Sequence, residues 1–167
     1  MTSTAALVTA AQAGDRKAFG ELYRLYGRMV HGILLARTPR GEVEDLTQEV
    51  FLRGLERLGS LREPAAFGGW IATIARHAAS DRVRRAPREV ELVDEFAAPE
   101  PAGEARAVLR LIRELPEAYR EPLVLRLVEG LSGPEIAEQT GLTQGSVRVN
   151  LHRGYAMLRA RLGGPHE

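Results

Sequence analysis

The chain carries 23 basic and 22 acidic side chains in 167 residues, with four histidines and no cysteine, a length that buries one modest core or two small ones. Without cysteine there is neither a disulfide framework nor a thiolate metal site, and His31, His77, His152 and His166 lack ligand spacing, so no metal and no cofactor is expected. No run reaches the ~18 apolar residues of a membrane helix, and Met1 to Ala13 has neither a basic leader nor a long apolar stretch; the expectation is a soluble, cytoplasmic protein with no membrane insertion.

Apolar residues recur with helical spacing and never alternate for long with period two, which predicts an all-α chain. The first four helices are expected over Thr4–Ala13, Arg16–Ala36, Glu42–Leu58 and Ala65–Arg85, with breaks at Gly14-Asp15, Thr38-Pro39-Arg40-Gly41, Gly59-Ser60 and Pro64. In the third, Val43, Leu46, Val50, Phe51, Leu55 and Leu58 form the apolar arc. Opposite them, Leu52 stands among Asp45, Gln48, Glu49 and Glu56. An apolar side chain ringed by acids reads either as a protein-binding anchor or as a single exposed leucine of the ordinary kind. In the fourth helix Phe67, Trp70, Ile71, Ile74 and Ala78 mark the buried side, and Thr73, Arg76, His77, Ser80 and Arg84 form an outer arc without an acid, suited to a nucleic-acid backbone. Asp81 falls on the buried arc and needs a partner there. Trp70, at the boundary of the two arcs, fills core or offers a ring edge to an unstacked base.

Charge divides the chain into three. Residues 1–86 hold 13 basic and 9 acidic groups, residues 87–104 hold 1 and 6, and residues 105–167 hold 9 and 7. Two basic bodies thus flank an acidic strip containing Pro87, Pro99, Pro101 and Gly103, which reads as a flexible linker. The strip either solvates the tether or mimics nucleic acid in a basic channel of a partner.

Beyond the linker, helices are expected over Ala105–Glu114 and Pro116–Glu129, followed by a tightly joined pair. Ser132 and Glu135 form a capping box with Pro134 in the first turn. Gly141 can end that helix in the left-handed conformation, Leu142 can plug the gap, and Thr143 can cap the next helix, which runs to about Leu162. This pattern is a helix-turn-helix. Val147, Leu151, Gly154, Leu158 and Leu162 face inward on its second helix; Gly145, Arg148, Val149, His152 and Arg153 face outward, on a face free of acids. Outward residues near the start of such a helix reach base edges and phosphates in the major groove. The plainer alternative is an amphipathic hairpin with a solvated basic face.

Four stretches in order carry a resemblance: Asp45-Leu46-Thr47-Gln48-Glu49-Val50-Phe51-Leu52-Arg53, the Trp70-Ile71 to Ile74-Ala75-Arg76 core of Phe67 to Arg85, Leu115-Pro116-Glu117 with Tyr119-Arg120, and Glu129-Gly130-Leu131-Ser132. Together they resemble the bacterial extracytoplasmic-function sigma factors over nearly the whole chain. The resemblance implies two small helical domains: region two (1–86), for core RNA polymerase binding and minus-ten recognition and melting, and region four (105–167), for the minus-thirty-five element, joined by the acidic linker (87–104). It implies no catalysis. Its partners are core RNA polymerase, through the beta-prime clamp and beta flap, promoter DNA and an anti-sigma factor. By the same resemblance Asp45, Gln48, Glu49 and Leu52 bind polymerase, which gives the lone leucine a use. The minus-ten residues are Ser60, Leu61 and Arg62 in the base-capturing loop, then Trp70, Thr73, Arg76, His77, Arg84 and Arg85. Those for the minus-thirty-five element are Ser132, Gln144, Ser146, Arg148, Val149, His152 and Arg153. The chain departs from the family pattern at His77, where asparagine is usual, at Val149-Asn150 in place of Ser-Arg, and at Gly154-Tyr155 in place of Ala-Arg. A different class of function, a stand-alone DNA-binding regulator that never enters polymerase, would have no use for the Asp45 to Leu52 face.

Overall fold

Polar side chains set where the helices begin. In a computed structural model, which describes residues 2–85 and 103–163, Ser3 accepts from the Ala6 amide and opens α1 (Thr4–Gln12), and Asp15 accepts from the Lys17 and Ala18 amides and opens α2 (Arg16–Leu35). Such caps satisfy amides with no partner inside their own helix and contribute about 1 kcal/mol each. Short 3-10 turns lead into α3 (Val43–Arg57) and α4 (Phe67–Arg85); α5 (Gly103–Arg113), α6 (Glu117–Leu127), α7 (Gly133–Thr140) and α8 (Gln144–Leu162) complete the order. The chain is all-α, with four helices on each side of the charge divide and no strand among the described residues. The linker expected over residues 87–104 lies outside the described residues, apart from 103 and 104, which open α5.

α2 forms the spine of the first body. Its Leu22, Met29, Ile33 and Leu34 are fully buried, as are Val50 of α3 and Phe67 and Ile71 of α4. In the second body Ile112, Leu123 and Ile136 are fully buried, and Val147, Leu151 and Leu158 of α8 are buried with them. A Cβ on Gly154 would lie 2.9 Å from Leu123 Cδ1, so α8 rests close against Leu123 of α6, and the alanine usual in the family pattern would require that side chain to shift.

Three expected burials are corrected. Leu55 is 46% exposed because α3 turns Gly54 toward α4, where a Cβ would meet Ile71 at 2.8 Å, and the neighbouring position swings outward. Leu162, in the last turn of α8, is exposed. Leu142 is also exposed: the turn is filled instead by Thr140, whose hydroxyl donates to the Ile136 carbonyl and accepts from the Leu142 amide at 3.3 Å.

The two bodies dock through α2 and α4 on one side and α5, α6 and α7 on the other. Glu121 of α6 is 5% exposed and receives a two-pronged contact from Arg76 of α4, at 2.9 and 3.0 Å, and a third bond from Arg37, which follows α2, at 2.8 Å. Arg113 of α5 donates to the Leu35 and Thr38 carbonyls, at 3.0 and 2.8 Å, and so completes the C-terminal end of α2, whose own last turn has no basic residue. Glycines permit the approach. A Cβ on Gly32 would come within 2.5 Å of Leu125 Cδ2 and 2.8 Å of Glu129 Cγ, and one on Gly68 would strike the Gln139 carbonyl.

His31 adds a pH-sensitive bond to this junction. Its Nδ1 meets the Glu129 carboxylate and its Nε2 lies 3.6 Å from Glu44, with Arg40 nearby and Arg28 donating to the Glu129 carbonyl at 3.3 Å. The Glu129 hydrogen bond, acting against burial, raises the imidazole above its ordinary 6.5. A group with a raised value contributes in full below its ordinary pKa, and the contribution disappears as pH rises through the raised one. Docking should therefore loosen on the alkaline side of 6.5. Small-angle scattering across that range should show the radius of gyration rising with pH in the unmodified chain, with His31→Gln removing the pH dependence.

Candidate nucleic-acid interface

The outer side of α3 presents its acids and Leu52 to solvent. Asp45, Gln48 and Glu49 are exposed, and Leu52 is 57% exposed, the most of any large apolar residue on that helix. Arg53 pairs with Glu49 one turn back and lies 3.9 Å from Asp81 of α4, which fixes the flank of this face.

Next along the chain, the loop before α4 is held from behind. Gln12, at the end of α1, donates to the Leu58 and Leu61 carbonyls at 3.0 and 2.9 Å. Leu61 is accordingly drawn into the core at 8% exposure, while Ser60 and Arg62 stay exposed. Of the three loop residues expected at DNA, only these two have side chains at the surface.

On α4, Thr73, His77, Ser80, Arg84 and Arg85 are exposed along one side. Trp70 is half-buried, its ring tilted against Phe67 with centroids 5.8 Å apart, so one part packs in the core and the remainder reaches the surface. Asp81 has the partners it needed, Arg84 and Arg53, but it is half-buried and not enclosed. Arg76 departs most from expectation: it is turned into the junction and held by Glu121. Burial alone would push the Glu121 carboxyl up, yet the hydrogen bonds and charge of Arg76, with those of Arg37, hold it below the usual carboxylate range.

The helix-turn-helix forms as its sequence dictates. Ser132 accepts from the Glu135 amide while the Glu135 carboxylate accepts from the Ser132 amide, both at 3.2 Å; Gly141 adopts φ +77°, and Thr143 accepts from the Ser146 amide at 3.1 Å. Gln144, Gly145, Ser146, Arg148, Val149, His152 and Arg153 are all exposed, while Ser132 is half-buried at the start of α7. No acid lies anywhere on α8. The cationic face is thus free to meet an anion, and Val149 places an apolar group beside Arg148.

Sequence reasoning missed Arg37, Glu121 and Gln12. A faint signal existed for Glu121, a lone acid directly before the apolar run Pro122-Leu123-Val124-Leu125. Nothing local marked Arg37 or Gln12, whose partners lie 84 and up to 49 residues away along the chain.

Comparison with known proteins agrees with this arrangement. The family model described as Sigma-70 region 2 matches residues 22–89, and that described as Sigma-70, region 4 matches residues 105–158. The RNA polymerase sigma factor CarQ of Myxococcus xanthus is 34% identical over 160 residues, covering 90% of this chain and 92% of its own. The ECF RNA polymerase sigma factor BldN of Streptomyces coelicolor is also 34% identical and covers 93% of this chain, which spans 64% of BldN. Among solved structures, CnrH in complex with the cytosolic domain of CnrY shares the fold with a TM-score of 0.68, at 24% identity over 98% of this chain and 99% of that one.

Proposed function

Because the chain belongs to the extracytoplasmic-function family of RNA polymerase sigma factors, we propose that it recruits core RNA polymerase in the cytoplasm, selects promoters through two spaced elements and opens the start region, with no chemistry of its own. The observation that carries this reading is the presence in one chain of two separate surfaces: a 57% exposed Leu52 among acids, and an acid-free helix-turn-helix face. A stand-alone regulator needs the second and has no use for the first.

In this reading Asp45, Gln48, Glu49 and Leu52 dock on the polymerase clamp, with Leu52 as the apolar anchor and the acids as its polar rim. Region four also meets the beta flap. Ser60, Arg62 and the surface part of Trp70, with Thr73, His77, Arg84 and Arg85, receive the unpaired minus-ten strand. Extruding a base costs a few kcal/mol, which stacking and backbone contacts offset. Gln144, Ser146, Arg148, Val149, His152 and Arg153 enter the major groove of the minus-thirty-five element, and Ser132 with the start of α7 lies at its phosphates. Two weak binders on one chain hold tightly only where both elements are correctly spaced, so spacing itself is read. An anti-sigma factor covering these faces is the natural inhibitor; the related fold of CnrH was solved with the cytosolic domain of CnrY bound.

Transcription by purified core enzyme on a library of genomic fragments, with and without this chain, tests the reading. A discrete set of chain-dependent start sites is expected, and identical transcripts in both arms would end it. Within that assay, Arg148→Ala should weaken promoter binding by about 1–3 kcal/mol if it reads a base, with relaxed preference at one minus-thirty-five position. Uniform loss on every sequence would assign it to a phosphate instead.

A further inference from the structure

We propose that Arg37 and Arg76 form a receptor for one anionic group, filled by Glu121 while the bodies are docked and by a backbone phosphate of the unpaired promoter strand once they separate. The proposal rests on the sigma-factor reading above. Both arginines belong to the first body and their carboxylates, Glu121 and Glu117, to the second, so separation leaves the two arginines together on the first body without their internal ligands.

The geometry is that of a built site. Arg76 offers Nε and Nη2 to the two oxygens of Glu121, and Arg37 adds Nη1 to one of them, itself steadied by the Ile33 carbonyl at 3.4 Å and by Glu117 at 3.6 Å from its Nε. The two arginine side chains are only 15% and 28% exposed, and Glu121 is almost wholly enclosed. Separation of the bodies removes both the carboxylate and the cover, leaving two exposed guanidinium groups side by side that can take another anion. A guanidinium fork that fits a carboxylate fits a phosphodiester equally well.

Position selects the phosphate over an acidic peptide. Arg76 lies within about one turn of Thr73, His77 and Ser80, which are exposed along one side of α4, so a strand following those side chains arrives at the receptor. Docking and DNA then compete for the same two arginines. Their linkage is reciprocal: whatever the closed form costs DNA binding, bound DNA returns as a shift toward the open form. The close approaches at Gly32 and Gly68 and the Arg113 bonds to α2 show that the closed form is specifically fitted.

The chain has no cysteine, so Lys17→Cys and Ala160→Cys, at exposed positions in the two bodies, accept a donor and acceptor dye cleanly. Glu121→Gln in the labelled chain should reduce energy transfer and raise affinity for a short A/T-rich single strand by roughly 5- to 50-fold. Adding Arg37→Gln should keep the bodies apart, return the affinity toward its starting value and lower the salt slope by about one phosphate contact. Bodies that part with no gain in DNA affinity would overturn the proposal. So would a polyglutamate peptide that binds the Glu121→Gln chain as tightly as DNA does. If Glu121→Gln disturbs folding, as judged by circular dichroism, titrating the otherwise unsubstituted labelled chain decides: saturating DNA must reduce transfer, and constant transfer at saturation overturns the idea. Promoter-dependent transcription by core enzyme with the unsubstituted chain separates the two levels. Activity there alongside a failed receptor test removes the receptor alone; inactivity removes the sigma-factor reading and the receptor with it.

Discussion

Leu52→Ala combined with Glu49→Arg is expected to weaken binding to core RNA polymerase by about 2–4 kcal/mol, roughly 30- to 1000-fold, while the helical content of the chain stays unchanged. Leu52 is 57% exposed and touches no core, so its truncation leaves no cavity. In the proposed function its value lies in a partner's pocket, where a desolvated anchor at the centre of an acid rim would carry most of the energy. Reversing Glu49 adds a cation where the rim is negative and also removes the partner of Arg53. The surface pair itself contributes little to stability. Retention of the double variant on immobilised core enzyme, matched against circular dichroism, measures both effects. Undiminished retention would remove the anchor from the account, and with it the main distinction from a stand-alone regulator.

Phe67→Ala should act in the opposite way, through the fold. Phe67 is fully buried, with its ring 5.1 Å from Tyr26 at a steep angle and 5.8 Å from Trp70. Truncating a phenylalanine in such a site costs about 3–5 kcal/mol, a large part of what a small body possesses. Because Gly68, the next residue, abuts the Gln139 carbonyl of α7, the loss should loosen docking as well. Thermal unfolding followed by circular dichroism should show a much lower midpoint, and scattering a larger radius. A destabilisation below about 1 kcal/mol would mean that the site collapses around the gap and that Phe67 does not hold α4 in place.

Local signals sufficed at the helix ends. The caps at Ser3, Asp15, Ser132 and Thr143 fix helix starts through bonds spanning two or three residues, and the left-handed Gly141 fixes a stop, so these boundaries were legible. Leu52 was legible because a helix wheel separates one apolar residue from its arc. Leu55 was not: which side of α3 counts as inward depended on Gly54 meeting α4, a fact of packing and not of periodicity. Leu61, drawn inward where Gln12 holds the loop, and Arg76, drawn to Glu121, show the same limitation at the candidate site.

The sequence by itself determined an all-helical chain in two basic bodies, the helix-turn-helix with its acid-free face, and the exposed leucine, because each of these follows from side chains within a turn or two of one another. Only the tertiary structure decided that the bodies close on each other through Gly32, Gly68, Arg113 and the Arg37–Glu121–Arg76 cluster. Those contacts join residues distant along the chain. An arginine's local pattern is the same whether it meets water, DNA or a buried carboxylate, so its partner is known only once the helices have been brought together.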